Sequence, residues 1–129
     1  VDDPQLLPKV GAYMKSGSIN KFAEQAKAFV IILPDKGNLT AKLGGAFTGR
    51  DFTSIDIGIA AAHLCLAATQ QGLGSCIMGI FQENALKELL GIPKSGKIEL
   101  VVALGYPASD TPQPKKRKAM EKVLSYNGF

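Results

Sequence analysis

The chain has 129 residues, 46% hydrophobic and 20% charged, with a formal net charge of +4. Surface scaling gives about 6,600 Å² for the folded chain against about 19,700 Å² unfolded, enough burial for one core and not two. The composition excludes disordered, collagen-like and coiled-coil classes, and two cysteines with one histidine cannot complete a zinc site or a disulfide framework. A single α/β or α+β domain follows, with no metal, in a reducing compartment such as the cytoplasm.

In chain order, Val1-Asp2-Asp3-Pro4 carries no initiator methionine and no basic-then-apolar leader, and reads as a processed or truncated beginning. Residues 6–27 have a helical pattern divided by Ser16-Gly17-Ser18, with Phe22, Ala23 and Ala26 at helical spacing in the second part. Ala28 to Leu33 is a β-branched apolar run stopped by Pro34, as in a strand covered on both faces. Residues 35–53 form a long connection bearing Gly37, Gly44, Gly45 and Gly49. Thr53 or Ser54 is placed to cap a helix running to about Gln71, with Asp56 near its positive end.

That helix is apolar nearly all round, which predicts burial in a core or in a subunit interface. No Asp, Glu, Lys or Arg occurs from Ile57 to Gln82. Gln70-Gln71-Gly72 interrupts the run after about fifteen residues, too short for a membrane span. Gly74 to Gly79 reads as a short turn or strand. Residues 84–90 form an amphipathic helix with Leu86, Leu89 and Leu90 on one face, ended by Gly91 and Pro93. Ile98 to Leu104 is a second apolar strand, Pro107 to Pro114 an extended loop, and residues 122–126 a further candidate strand. So few strands need a partner from elsewhere: preceding chain, a second subunit, or both.

Several motifs carry a chemical reading beside a plainer one. Gly91 to Lys97 fits G-x-x-x-x-G-K, but Ile98 stands where Ser or Thr should hold magnesium, and a helix precedes where a strand should. A helix cap and tight turn is the better reading. Gly72-Leu73-Gly74 leaves a helix, so it is no dinucleotide fingerprint. Asp56, His63 and Gln70 share one helical stripe, read as a polar seam against a loop or partner. Cys65 is read as packing, and Cys76, in the glycine segment, as the more plausible site residue. Lys115, Lys116, Arg117, Lys118 and Lys122 fall within eight residues. Such a cluster seeks an anion; without interleaved aromatics it is a poor nucleic-acid site, and a phosphate clamp or a solvated tail remains.

Residues 56–79, then Leu89-Leu90-Gly91-Ile92-Pro93, Ala103-Leu104-Gly105-Tyr106-Pro107 and residues 115–123, in this order and spacing, resemble the C-terminal part of flavin-dependent nitroreductases. The resemblance covers about residues 55–126. It implies an α+β fold, a mixed sheet flanked by helices, in an intertwined homodimer with FMN at the interface. It also implies a C-terminal segment that crosses to the other subunit's sheet. Activity would be that of an oxidoreductase passing hydride from NAD(P)H through FMN to nitroaromatic, quinone or related small-molecule acceptors, without nucleic acid or membrane as partner. Carried over, Cys76, Ile77, Met78 and Gly79 lie beside the flavin ring, with the Met78 and Gly79 N–H groups near its N5 and O4 edge. Lys115 and Arg117 hold the FMN phosphate. The flavin performs the redox step, so no catalytic side chain is assigned. The family's arginine-rich opening block and the serine- and asparagine-bearing segment after it are absent, so residues 1–129 are expected to be one domain lacking its N-terminal portion. The alternative is a non-catalytic, flavin-binding or dimeric interaction module of the same fold.

Overall fold

Antiparallel pairing organises the chain around its most apolar run. In the computed structural model, which describes residues 1–35, 47–109 and 114–128, β1 (Ala28–Ile32), β2 (Gly74–Met78) and β3 (Leu100–Gly105) form a sheet of order β1-β3-β2. Ala28 pairs with Leu104 and Ile32 with Leu100, while Gly74 pairs with Gly105 and Met78 with Val101. The central place of β3 explains its unbroken apolar sequence: Val101, Val102 and Ala103 are all buried, so both of its faces are covered. The implied mixed sheet requires a parallel neighbour; within the described residues both pairings are antiparallel. Residues 36–46 and 110–113, parts of the two expected loops, lie outside the described residues.

One face of the sheet carries the core. The pleat puts Phe29 of β1, Val101 and Ala103 of β3, and Met78 of β2 on this side. Helix α1 (Leu7–Met14) adds Val10 and Met14, a 3₁₀ turn at Lys21–Gln25 adds Ala23, and helix α3 (Glu83–Leu90) adds Leu86. Leu89 and Leu90 pack against the same cluster. The break expected at residues 16–18 is a tight reversal in which Ser16 and Ile19 bridge. Gly11 marks where α1 and the 3₁₀ turn touch, since a Cβ there would lie 3.1 Å from Glu24 Cα and 3.2 Å from the Ala23 carbonyl oxygen. Both neighbours are backbone and yield little. Gly11→Ala is therefore expected to destabilise the fold by about 1–3 kcal/mol, read as an earlier midpoint in urea unfolding.

Helix α2 (Phe52–Gln70) lies on the opposite face, with Ala61 and Ala68 buried. Its cap is Asp51 rather than Thr53 or Ser54: the carboxylate accepts from the Ser54 N–H at 3.1 Å and from the Ser54 hydroxyl. These bonds hold the Asp51 carboxyl below its ordinary pKa. An acceptor that is also an anion suits the positive end of a helix better than a hydroxyl does. At 19 residues α2 is longer than the fifteen-residue run and, by length and composition alone, long and apolar enough to cross a membrane.

After α3, Gly91 takes the left-handed conformation (φ 66°). A turn closes from the Gly96 N–H to the Pro93 carbonyl at 2.8 Å, so Gly91 to Lys97 is a helix cap and turn. Glu83 ties this region together, accepting from the Ile98 N–H at 3.0 Å and pairing with Lys87 at 2.6 Å. The strand expected at residues 122–126 is not formed. A 3₁₀ turn spans Met120–Lys122, and the N–H groups of Val123 and Leu124 return to the Met120 carbonyl. Pairing with no strand among the described residues, the segment satisfies these backbone groups locally.

Candidate functional site

The glycine segment is an edge strand, not a turn. β2 begins directly after α2, where Gly72 (φ 74°) reverses the chain and the Leu73 N–H bonds the Ala68 carbonyl at 3.0 Å. Alternation then divides the four expected ring-side residues between the two faces. Cys76 and Met78 face the core side, Cys76 half-buried and Met78 2% exposed. Ile77 faces the α2 side and is 47% exposed. Met78 is thus fixed by its side chain and has only its backbone to offer a ligand.

Gly79 follows the last ladder pair and is exposed. A Cβ added there would meet only Leu100 Cδ2, at 3.9 Å, and among the described residues its N–H donates to no backbone carbonyl. The next residues are pinned from outside the sheet. The Ile80 carbonyl accepts from Asn20 Nδ2 at 2.9 Å, and the same nitrogen lies 3.2 Å from the Met14 carbonyl. The Gln82 N–H donates to the Tyr13 carbonyl at 2.8 Å, and its side-chain amide to that of Lys15 at 3.3 Å. Neither Asn20 nor Gln82 was marked by the sequence analysis. Asn20 had one usable signal, an asparagine just after an Ile in a Ser-Gly-Ser reversal, where left-handed backbone is common.

The basic cluster lies along an exposed extended stretch. Lys115 is near enough to β2 for its charge to act on the Cys76 thiol. Burial pushes that thiol's pKa up, and the Lys115 ammonium opposes the rise. The Lys115 charge thus reaches the middle of the glycine segment, while Arg117 has no contact with β2 among those observed. Among the described residues none of Lys115, Lys116, Arg117 and Lys118 pairs with a carboxylate; the ion pairs are Lys15–Glu24, Lys87–Glu83 and Lys97–Glu99.

A cleft of about 270 Å³ opens at the other end of β2, with Phe22, Ala26, Cys76, Ala103 and Tyr106 in its lining. It takes in Cys76 but not Ile77, Met78 or Gly79. Since the thiolate is the reactive form, Cys76 is expected to alkylate with iodoacetamide more slowly at neutral pH than an unstructured cysteine. Its rate–pH midpoint should also be displaced upward. A midpoint at or below that of a free thiol would show Lys115 outweighing burial.

The polar seam of Asp56, His63 and Gln70 is wholly exposed, and His63 Nδ1 is turned back onto the Ile59 carbonyl at 2.8 Å. Beside it runs an apolar stripe. Ile55 is 50% exposed, Ile59 52% and Leu66 69%, all within about 40° around the helix at 100° per residue. Ala61 and Ala68 occupy the far side. A helix that is apolar all round has thus found cover on one side.

The nitroreductase family model matches residues 5–106. The chain belongs to the nitroreductase family. This match reaches much further toward the N-terminus than the resemblance over 55–126, and it stops before the basic block at 115–123. A nitroreductase from Clostridium difficile, titled FMN-dependent, superposes with a TM-score of 0.73 at 22% identity, covering 100% of this chain and 73% of that one. The NADPH:FMN oxidoreductase of Vibrio harveyi, solved with NAD⁺, superposes at 0.71 and 21% identity, over 100% of this chain and 57% of its own. At these identities the shared property is the fold. A curated protein of Archaeoglobus fulgidus, provisionally named an NADH dehydrogenase/NAD(P)H nitroreductase, is 39% identical over 59 residues. The match takes in 43% of this chain and 34% of that relative, so this nitroreductase-family chain spans about a third of the curated relative's length.

Proposed function

We propose that this chain, one nitroreductase-like domain, binds FMN and serves an oxidoreductase that uses NAD(P)H, in a homodimer. The observation that carries the flavin reading is the Gly79 N–H, which donates to no backbone carbonyl among the described residues, together with a cationic stretch whose Lys115 charge acts on Cys76 of the same strand. Bound FMN supplies the redox chemistry, accepting reducing equivalents from NAD(P)H and giving them to nitroaromatic, quinone or related acceptors.

The protein's part is binding and electrostatics. The Met78 and Gly79 N–H groups face the ring's N5 and O4 edge, where fixed backbone dipoles stabilise negative charge and cannot lose a proton. Cys76 and Ile77, on opposite faces of the strand, would flank the ring edge from its two sides. Lys115 and Arg117 take the phosphate, Arg117 through its planar fork and Lys115 as a point charge. From Cys76, which feels the Lys115 charge, to Gly79 is about 10 Å along an extended strand, a span that supports one ligand reaching both. The exposed Gly79 leaves room for close approach of a flat ring.

The homodimer reading rests on uncovered apolar surface. The chain exposes 9977 Å², about half as much again as the roughly 6,600 Å² of a compact monomer of this mass. The stripe Ile55, Ile59 and Leu66 contributes, as do Val123 and Tyr126 of the C-terminal segment. A second copy laid on α2 covers the stripe and offers residues 123–126 a sheet edge, such as that of β2.

The test is titration of the purified chain with FMN, followed by flavin fluorescence, together with NADH- and NADPH-dependent quinone reduction. Stoichiometric quenching with turnover supports the reading. Quenching without turnover identifies a non-catalytic flavin-binding module. A chain that leaves added FMN free in solution overturns it.

A further inference from the structure

We infer that Asn20 is a positioning residue that helps aim the Gly79 main-chain donor following β2, an inference that rests on the reading of Met78 and Gly79 as the flavin's ring-edge contacts. The ladder with β3 ends at Met78 and Val101, and α3 begins at Glu83. Residues 79–81 therefore have no ladder or helix bonds to hold their peptide planes, while the Gln82 carbonyl already accepts the first bond of α3, from the Leu86 N–H at 3.1 Å. Gly79, without a side chain, has the widest backbone freedom of any residue there, and Ile80 is half-exposed. The Gly79 N–H belongs to the peptide that leaves the ladder at Met78, and the next fixed point along the backbone is the Ile80 carbonyl, two peptides on.

Asn20 does the fixing. Its amide nitrogen bridges the Ile80 carbonyl (2.9 Å) and the Met14 carbonyl at the end of α1 (3.2 Å). Met14 is fully buried, so the bridge is anchored on the core. Asn20 reaches both acceptors from a left-handed backbone, φ 59° and ψ 25°. Two demands meet in one residue: tolerance of that conformation, which asparagine, aspartate and glycine have, and an amide with two donor hydrogens, which of these only asparagine has. Gln82 adds the second tie, through its side chain to the Lys15 carbonyl and its N–H to that of Tyr13. The loop is bolted to the end of α1 at both of its polar ends. Preorganised donors favour the reduced, more negative ring over the oxidised one, so loosening the bolt should reduce that preference.

The experiment compares the full chain with Asn20→Gly, which keeps the left-handed backbone and deletes the amide, and Gln82→Met, which deletes only the Lys15 tie. FMN affinity and the bound flavin's two-electron midpoint potential are measured for each. Asn20→Gly is expected to weaken the preference for reduced over oxidised flavin about tenfold, a potential about 30 mV more negative. Gln82→Met should shift it in the same direction by a smaller factor, and it carries the test if Asn20→Gly fails to fold. A general loss of stability would lower affinity for both redox states alike and leave the potential in place. If the parent chain binds FMN and both variants keep its potential, the positioning role is refuted and the site stands. If the parent chain binds no FMN, the site reading fails and the inference with it.

Discussion

Arg117→Ala is expected to weaken FMN binding by about 10- to 100-fold while leaving the fold and the oligomeric state unchanged. A hydrogen bond to a charged group contributes about 1.5–3 kcal/mol, and 1.4 kcal/mol is a factor of ten in affinity. Arg117 is exposed and has no carboxylate partner among the described residues. Truncation therefore breaks no internal contact, and the whole effect should appear in binding. Lys115→Ala should cost less, because an ammonium offers a point charge where guanidinium offers two parallel donors. Riboflavin, which lacks the phosphate, should bind parent and Arg117→Ala equally. Fluorescence titration measures all of these; an unchanged FMN affinity in Arg117→Ala places the phosphate elsewhere.

If α2 forms the proposed homodimer interface, Leu66→Asp should convert dimer to monomers. Leu66 is the most exposed of the α2 stripe at 69% and lies opposite the buried Ala61 and Ala68, so its replacement spares the core of a single chain. In a two-fold dimer every interface change is felt twice. Losing about 2 kcal/mol of leucine burial per copy amounts to at least about a thousandfold in dimer dissociation, before the added cost of burying a carboxylate. Sedimentation or light scattering reads the mass directly, and FMN affinity should fall together with the dimer. A mass unchanged by Leu66→Asp, at concentrations where the parent is dimeric, would place the interface on another surface. Lys94→Asp, also on the surface, serves as the control.

Much of the fold was legible in the chain because the signals were local. The apolar runs expected as strands at 28–33 and 98–104 contain β1 (28–32) and most of β3 (100–105), since each carries enough apolar surface to sit inside a sheet. Leu86, Leu89 and Leu90 gave the inner face of α3 by spacing alone, and Gly91 its end by needing a left-handed backbone. The family was legible from four ordered blocks, and the match over residues 5–106 agrees with it. The misplacements arose where two neighbouring residues compete for one local role. Asp51 took the cap from Thr53 and Ser54 because its carboxylate reaches the Ser54 N–H. Residues 122–126 have strand composition, but a strand is a relation to an edge, and among the described residues they pair with none.

The amino-acid sequence by itself determined which strands are buried, where helices end, that a cationic cluster follows the last strand, and to which family the chain belongs. These depend on side-chain polarity and on backbone preferences acting over a few residues. Only the tertiary structure decided that the Ser75–Met78 stretch is a sheet edge with alternating faces, that α2 is covered on one side alone, and that Asn20 reaches across sixty residues to hold the Ile80 carbonyl. A hydrogen bond between distant residues leaves no period in the sequence. Its geometry exists only once the strands and helices that carry its two ends have packed.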